Sequence, residues 1–197
     1  MADRPLFLYG TLRHEPLLDL LGGDRGGATA RDASLPGFRV VREEGGDLPV
    51  LVEHAEGSVH GALWEGLPPE ARERLDAYEL PFGYRLEPVT VVVEGGSHVE
   101  AEAYLPPESL VPSGEDWDVE AWVRDHGAMP LLRAEEVAAH DPPLVGDALR
   151  AQGPMMSHRA AARLRVRPAP TARRFRAAPG DFGWKRRRPP AGSIFKF

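Results

Sequence analysis

Residues 74–93 read RLDAYELPFGYRLEPVTVVV, and the periodicity of the apolar positions changes midway. Upstream, Leu67, Ala71, Leu75 and Tyr78 recur every three or four residues, which predicts a helix with one buried face. Pro68 and Pro69 pre-set its first turn, and Glu70 suits the positive end of the helix dipole. Pro81 stops it, because a proline ring clashes with the preceding turn and supplies no N–H. Downstream, RLEPVTVVVEG at 85–95 and HVEAEAYLP at 98–106 are apolar or alternating runs. They are joined at Gly95–Gly96–Ser97, which predicts a β-hairpin.

At the join stands Glu79. A carboxylate at the carbonyl-rich end of a helix meets the negative pole of the dipole. Tyr78, Phe82 and Tyr84 surround it in sequence. A carboxylate held among rings is desolvated, and its pKa rises, which prepares it for proton transfer near neutral pH. On these residues alone, a solvated glutamate at a helix end is the competing reading.

Working outward to the N-terminus, PLFLY at 5–9 reads as a short buried strand stopped by Gly10. HEPLLDLL at 14–21 places Leu17, Leu18 and Leu21 on one helical face, and Gly22–Gly23 ends it. Between them, Tyr9-Gly10-Thr11-Leu12 is a strand-to-helix turn that exposes successive backbone N–H groups, a cradle for a carboxylate or carbonyl oxygen. An ordinary βα turn would read the same way. The stretch 28–64 holds several strand candidates, with a turn expected at Pro36–Gly37. After Pro106–Pro107, DVEAWVRDHG and RAEEVAAH read as helices. Residues 145–152 and 155–164 read as two more, separated at Gly153-Pro154.

Composition narrows the chemistry. The chain has 197 residues, 42% of them apolar, enough for one domain plus an appendage. It has no cysteine, which excludes disulfides, thiolate catalysis and Cys-held metal or iron–sulfur centres. None of the seven histidines is paired at the i, i+4 spacing of a helical zinc site, so no metal is expected. No serine lies in a G-x-S-x-G elbow. No run approaches the 18 or so apolar residues of a membrane span, so a soluble cytoplasmic protein is expected. The net charge of −6 is unevenly spread: residues 1–117 hold 9 basic and 22 acidic side chains, residues 118–197 hold 15 and 8. The basic tail carries Lys185-Arg186-Arg187-Arg188 but no recognisable nucleic-acid module, and nucleic acid is not an expected partner.

Taken together, LFLYGTLR at 6–13, VHGALWEGL at 59–67, the stretch 74–93 and AEAYLP at 101–106 resemble the gamma-glutamylcyclotransferase-like family of the avirulence-induced-gene type. The resemblance covers residues 5–105. It implies an α+β fold, a small mixed β-barrel flanked by helices, here with a helical and extended C-terminal appendage. It also implies an enzyme that cyclises a small gamma-glutamyl amine or peptide to 5-oxoproline and releases the amine, without a cofactor. Carried over, Glu79 is the catalytic acid/base. Tyr9, Gly10, Thr11 and Leu12 form the substrate-anchoring loop, and Tyr84 and Tyr104 line the pocket. The family pattern has glycine after the glutamate where this chain has Leu80-Pro81. A rival reading is therefore a ligand-binding or accessory module that retains the pocket without turnover, which a Glu79 turned to solvent or a cavity filled by Leu80 or Phe82 would favour.

The expected organisation is a cyclotransferase-like domain at 1–110, a helical extension at 111–165 and a basic Pro/Arg-rich tail at 166–197. The C-terminal part resembles the connector of bacterial proteins that fuse this domain to a Nudix hydrolase of the ADP-ribose pyrophosphatase type. The Nudix signature itself is absent, so a shortened form or a paralogue without the hydrolase is expected. The tail is expected to be mobile, or to dock on the acidic first domain or on a second copy of the chain as a homodimer.

Overall fold

The structure is a computed structural model and describes residues 4–139 and 146–166. The expectations for the tail and for a homodimer through it lie outside the described residues.

Among the described residues, six strands and five helices follow in the order β1 (Leu6–Leu8), α1 (Glu15–Gly22), β2 (Thr29–Glu43), β3 (Pro49–Glu65), α2 (Pro69–Glu79), β4 (Arg85–Val93), β5 (His98–Leu105), β6 (Pro112–Asp116), α3 (Val119–Asp125), α4 (Ala128–Ala138) and α5 (Gly146–Val166). Short 3₁₀ turns occupy Thr11–Arg13 and Leu80–Phe82. β1 pairs antiparallel with β3 and parallel with β5. β5 continues to β4, β4 to β2, and β2 returns to β3, which closes a five-stranded barrel. β6 adds to the outer edge of β2. The fold is α+β, a mixed barrel flanked by helices, as the resemblance implies.

Alternation along β1 explains why its sequence is apolar throughout. Phe7 and Tyr9 point into the barrel with Leu35, Leu63, Val91, Ala101 and Ala103. Leu6 and Leu8 point outward, under α1 and α2, and join Leu17, Leu18, Leu21 and Leu75. A strand buried on both faces needs apolar residues at every position. The barrel closes tightly there. A Cβ on Gly61 of β3 would lie 2.5 Å from the Leu8 carbonyl oxygen and 2.5 Å from Cζ of Phe7, so only glycine lets β3 approach β1.

The hairpin expected at Gly95–Gly96 is present. Both glycines take positive φ, 84° and 79°, and Val92 pairs with His98 across it. The stretch 28–64 differs from expectation. It is one long hairpin, and Pro36–Gly37 bulges the strand without turning the chain. β2 pairs with β4 at Ala33 and Ser34 and with β6 from Val41 onward. Between those points its second edge is open, where a residue without an N–H is tolerated.

At the C-terminal side, Asp118 caps α3, its carboxylate accepting from the Ala121 amide at 2.8 Å. The expected break at Gly153-Pro154 is overridden, since α5 runs through it. Burial of Met156 and Ala160 and ion pairs to α4 hold the helix where local propensity would end it.

Candidate functional site

α2 ends at Glu79, the chain makes a single 3₁₀ turn over Leu80–Phe82, and Gly83 at φ 91° redirects it into β4. The turn forms because Pro81 forbids continuation of the α-helix. It leaves Glu79 facing inward, 8% exposed, and turns the apolar side chains that follow outward. Leu80 is 43% and Phe82 48% exposed, so neither fills the cavity.

The other wall is the exit of β1. Gly10 has no Cβ because Pro49 closes over it; an added Cβ would sit 3.0 Å from the proline Cγ. The turn bonds through the Arg13 amide to the Gly10 carbonyl and the His14 amide to the Thr11 carbonyl, both 3.0 Å. The amides of Thr11 and Leu12 stand at its start, outside that bonding, where a 3₁₀ turn leaves donors unsatisfied.

These walls enclose a small pocket, its mouth open to solvent, lined by Tyr9, Gly10, Thr11, Leu12, Glu79, Tyr84 and Tyr104. All seven residues singled out in the sequence meet there. Phe7, Leu8 and Pro49 also line it. Pro49 carries no local sign of this role, because only barrel closure brings the start of β3 against the Gly10 turn.

A chain of hydrogen bonds fixes the tyrosines. The Tyr9 hydroxyl donates to the Tyr104 carbonyl oxygen at 2.7 Å, and the Tyr104 hydroxyl donates to Oδ1 of Asp76 at 2.6 Å. Asp76 is one turn before Glu79 on α2. Arg72 lies under Asp76, its Nε 3.7 Å from Oδ1, and is 6% exposed. It also donates to Glu102 and, at 3.3 Å, to the Arg4 carbonyl oxygen. The site also draws on Asp76, Arg72 and Glu102, which the sequence motifs do not single out. The i, i+4 spacing of Arg72 and Asp76 was the available sign.

Electrostatics set Glu79 apart. Burial pushes its carboxyl from 4.5 up to about 7, and among the described residues no hydrogen bond or cation counters the shift. Tyr9, Tyr84 and Tyr104 are each raised, first by burial and further by other groups that include the Glu79 charge. All three hydroxyls therefore keep their protons at neutral pH. The site thus holds an acid poised near neutrality, phenolic O–H groups, and a turn that presents backbone amides. Among the described residues no cluster of three potential metal ligands occurs. No described helix is long and apolar enough to cross a membrane.

Relatives share this frame. AIG2-like protein A of Arabidopsis thaliana is 30% identical over 126 residues, covering 61% of this chain and 73% of that protein. AIG2-like protein B of the same plant is 28% identical over 125 residues, covering 61% and 70%. The solution structure of an Arabidopsis thaliana protein superposes with a TM-score of 0.50 at 26% identity, over 64% of this chain and 78% of the other. The family described as gamma-glutamyl cyclotransferase, AIG2-like, matches residues 6–122, from the first residue of β1 into α3. That span contains the whole closed barrel and every residue of the pocket, and the chain belongs to this family.

Proposed function

We propose that the chain is an enzyme that cyclises a small gamma-glutamyl amine or peptide to 5-oxoproline and releases the amine. The observation that carries this reading is the buried Glu79 carboxyl in the same pocket as the Tyr9–Leu12 turn, with burial raising that carboxyl toward neutrality. In the reaction, Glu79 accepts a proton from the substrate's α-ammonium group. The freed α-nitrogen attacks the γ-carbonyl carbon and closes a five-membered ring. The carbonyl oxygen gains negative charge, which the amides of the Gly10–Leu12 turn are suited to stabilise. Glu79 gives its proton to the leaving nitrogen as the bond from that carbon breaks, then takes the second proton from the ring nitrogen and passes it to the released amine, which departs as its ammonium. No water is consumed and the proton count balances. Because the attack is intramolecular, holding the substrate folded supplies much of the acceleration.

The rival accessory-module reading needs a cavity occupied by Leu80 or Phe82, or a Glu79 turned to solvent. The exposed positions of the first two and the burial of Glu79 favour the enzyme. Fold alone does not fix a substrate. The test is incubation with a panel of gamma-glutamyl amines and dipeptides, with 5-oxoproline as the readout. Release from at least one member is expected; none across the panel from folded protein contradicts the proposal.

A further inference from the structure

The family match stops at Trp122, yet two further helices pack onto this unit. α4 buries Leu132, Ala134 and Val137. Val137 of α4 and Met156 of α5, 7% and 3% exposed, form one buried cluster, and the side chain packed against it is Tyr78. α5 also packs against the Leu80–Phe82 turn. Tyr78 immediately precedes Glu79, and its ring lies 6.0 Å from that of Phe82. Ion pairs tie the two helices together: Arg163 reaches Glu135 at 2.5 Å and Glu136 at 3.4 Å, and Arg159 reaches Glu136 at 3.6 Å. Each exposed pair contributes little stability, but the set orients α5 so that Met156 meets Tyr78.

We propose that α4 and α5 are a working part of the site: by packing Val137 and Met156 on Tyr78, they seal the back of Glu79 against water from outside the family domain. Val137, Met156 and Tyr78 are thus positioning residues acting through Glu79. The inference rests on the reading of Glu79 as the proton carrier.

The electrostatics of Glu79 support it. Burial is what raises this carboxyl, so whatever keeps water out governs its proton. The groups facing it are Tyr9 from the β1 exit, Tyr84 ahead of β4, Tyr104 of β5 and Tyr78 on its own helix. Behind them stand Asp76 and Arg72 at Tyr104, Glu43 at Tyr84 and Arg133 of α4 at Tyr78. Arg133 is the charge that the appended helices bring toward this side.

The test is titration of the Glu79 carboxyl by ¹³C NMR in the full chain, with its signal assigned by its loss in Glu79→Gln. Met156→Ala admits water beside Tyr78, so the midpoint falls by about 0.5–1 pH unit toward the ordinary carboxylate value, and Met156→Leu restores it. A folded Met156→Ala protein with an unchanged midpoint overturns the inference. Should that variant not fold, Arg163→Glu asks the same question from the surface by setting a negative charge against Glu135 and Glu136. A downward shift is expected there too, and none overturns the inference. The titration needs no turnover. A shift in a protein that releases no 5-oxoproline would overturn the proposed reaction and leave the packing role standing. Activity without a shift would overturn the packing role alone.

Discussion

The hydroxyl of Tyr9 donates a 2.7 Å hydrogen bond to the backbone carbonyl of Tyr104, 95 residues away. It ties the exit of β1 to the end of β5, and so joins the loop that offers amides to the strand whose tyrosine reaches Asp76. Tyr9→Phe keeps the ring and removes the donor, which leaves a buried carbonyl unpaired. A loss of about 1–2 kcal/mol in urea unfolding is expected. kcat/KM is expected to fall as well, because the turn loses its anchor. Unchanged stability would mean that this bond does not hold the turn.

Ionisation of Glu79 opposes folding. Its carboxyl is raised from 4.5 to about 7, so between those values the folded chain binds more protons than the unfolded one. The group's penalty is therefore absent below 4.5, grows as pH rises and is complete above about 7. Its size is on the order of 3 kcal/mol. Glu79→Gln escapes the penalty, so the variant gains on the wild type in urea unfolding from pH 5 to pH 8. A constant gap would show that Glu79 is not desolvated. Activity runs the other way: a general base must be ionised, so kcat/KM rises with pH through about 7.

Gly61→Ala tests the closure of the barrel. The new methyl meets the Leu8 carbonyl and the Phe7 ring at 2.5 Å, both interior, so the backbone of β1 or β3 must move. A loss of about 1–3 kcal/mol is expected, with a larger relative loss of activity because β1 leads directly into the Tyr9–Leu12 turn. A variant of wild-type stability would mean that the strands are less tightly apposed.

What the sequence made legible was local. The end of α2 was readable because Pro81 has one steric consequence wherever it stands, and the β4–β5 hairpin because two adjacent glycines can take positive φ. Part of the environment of Glu79 was readable because Tyr78 and Tyr84 are close in sequence, whereas Phe82 turns outward and Tyr9 and Tyr104 reach it only through barrel closure. The parts that misled were decided by tertiary contact. Pro36–Gly37 looks like a turn, yet a partly open strand edge turns it into a bulge. Gly153-Pro154 looks like a helix end, yet α5 passes through it with Met156 and Ala160 buried. Pro49 and Glu102 come to the site only when distant segments close the barrel, so no local pattern announces them.

The central claim is that Glu79 carries the proton in ring closure, and the direct measurement is kcat for 5-oxoproline release by wild type and Glu79→Gln on the same gamma-glutamyl substrate. The variant keeps the shape of the side chain and loses its exchangeable proton. A fall in kcat of about 10²–10⁴ with the fold intact is the predicted result. Equal rates in the two proteins would contradict it and remove Glu79 from the chemistry.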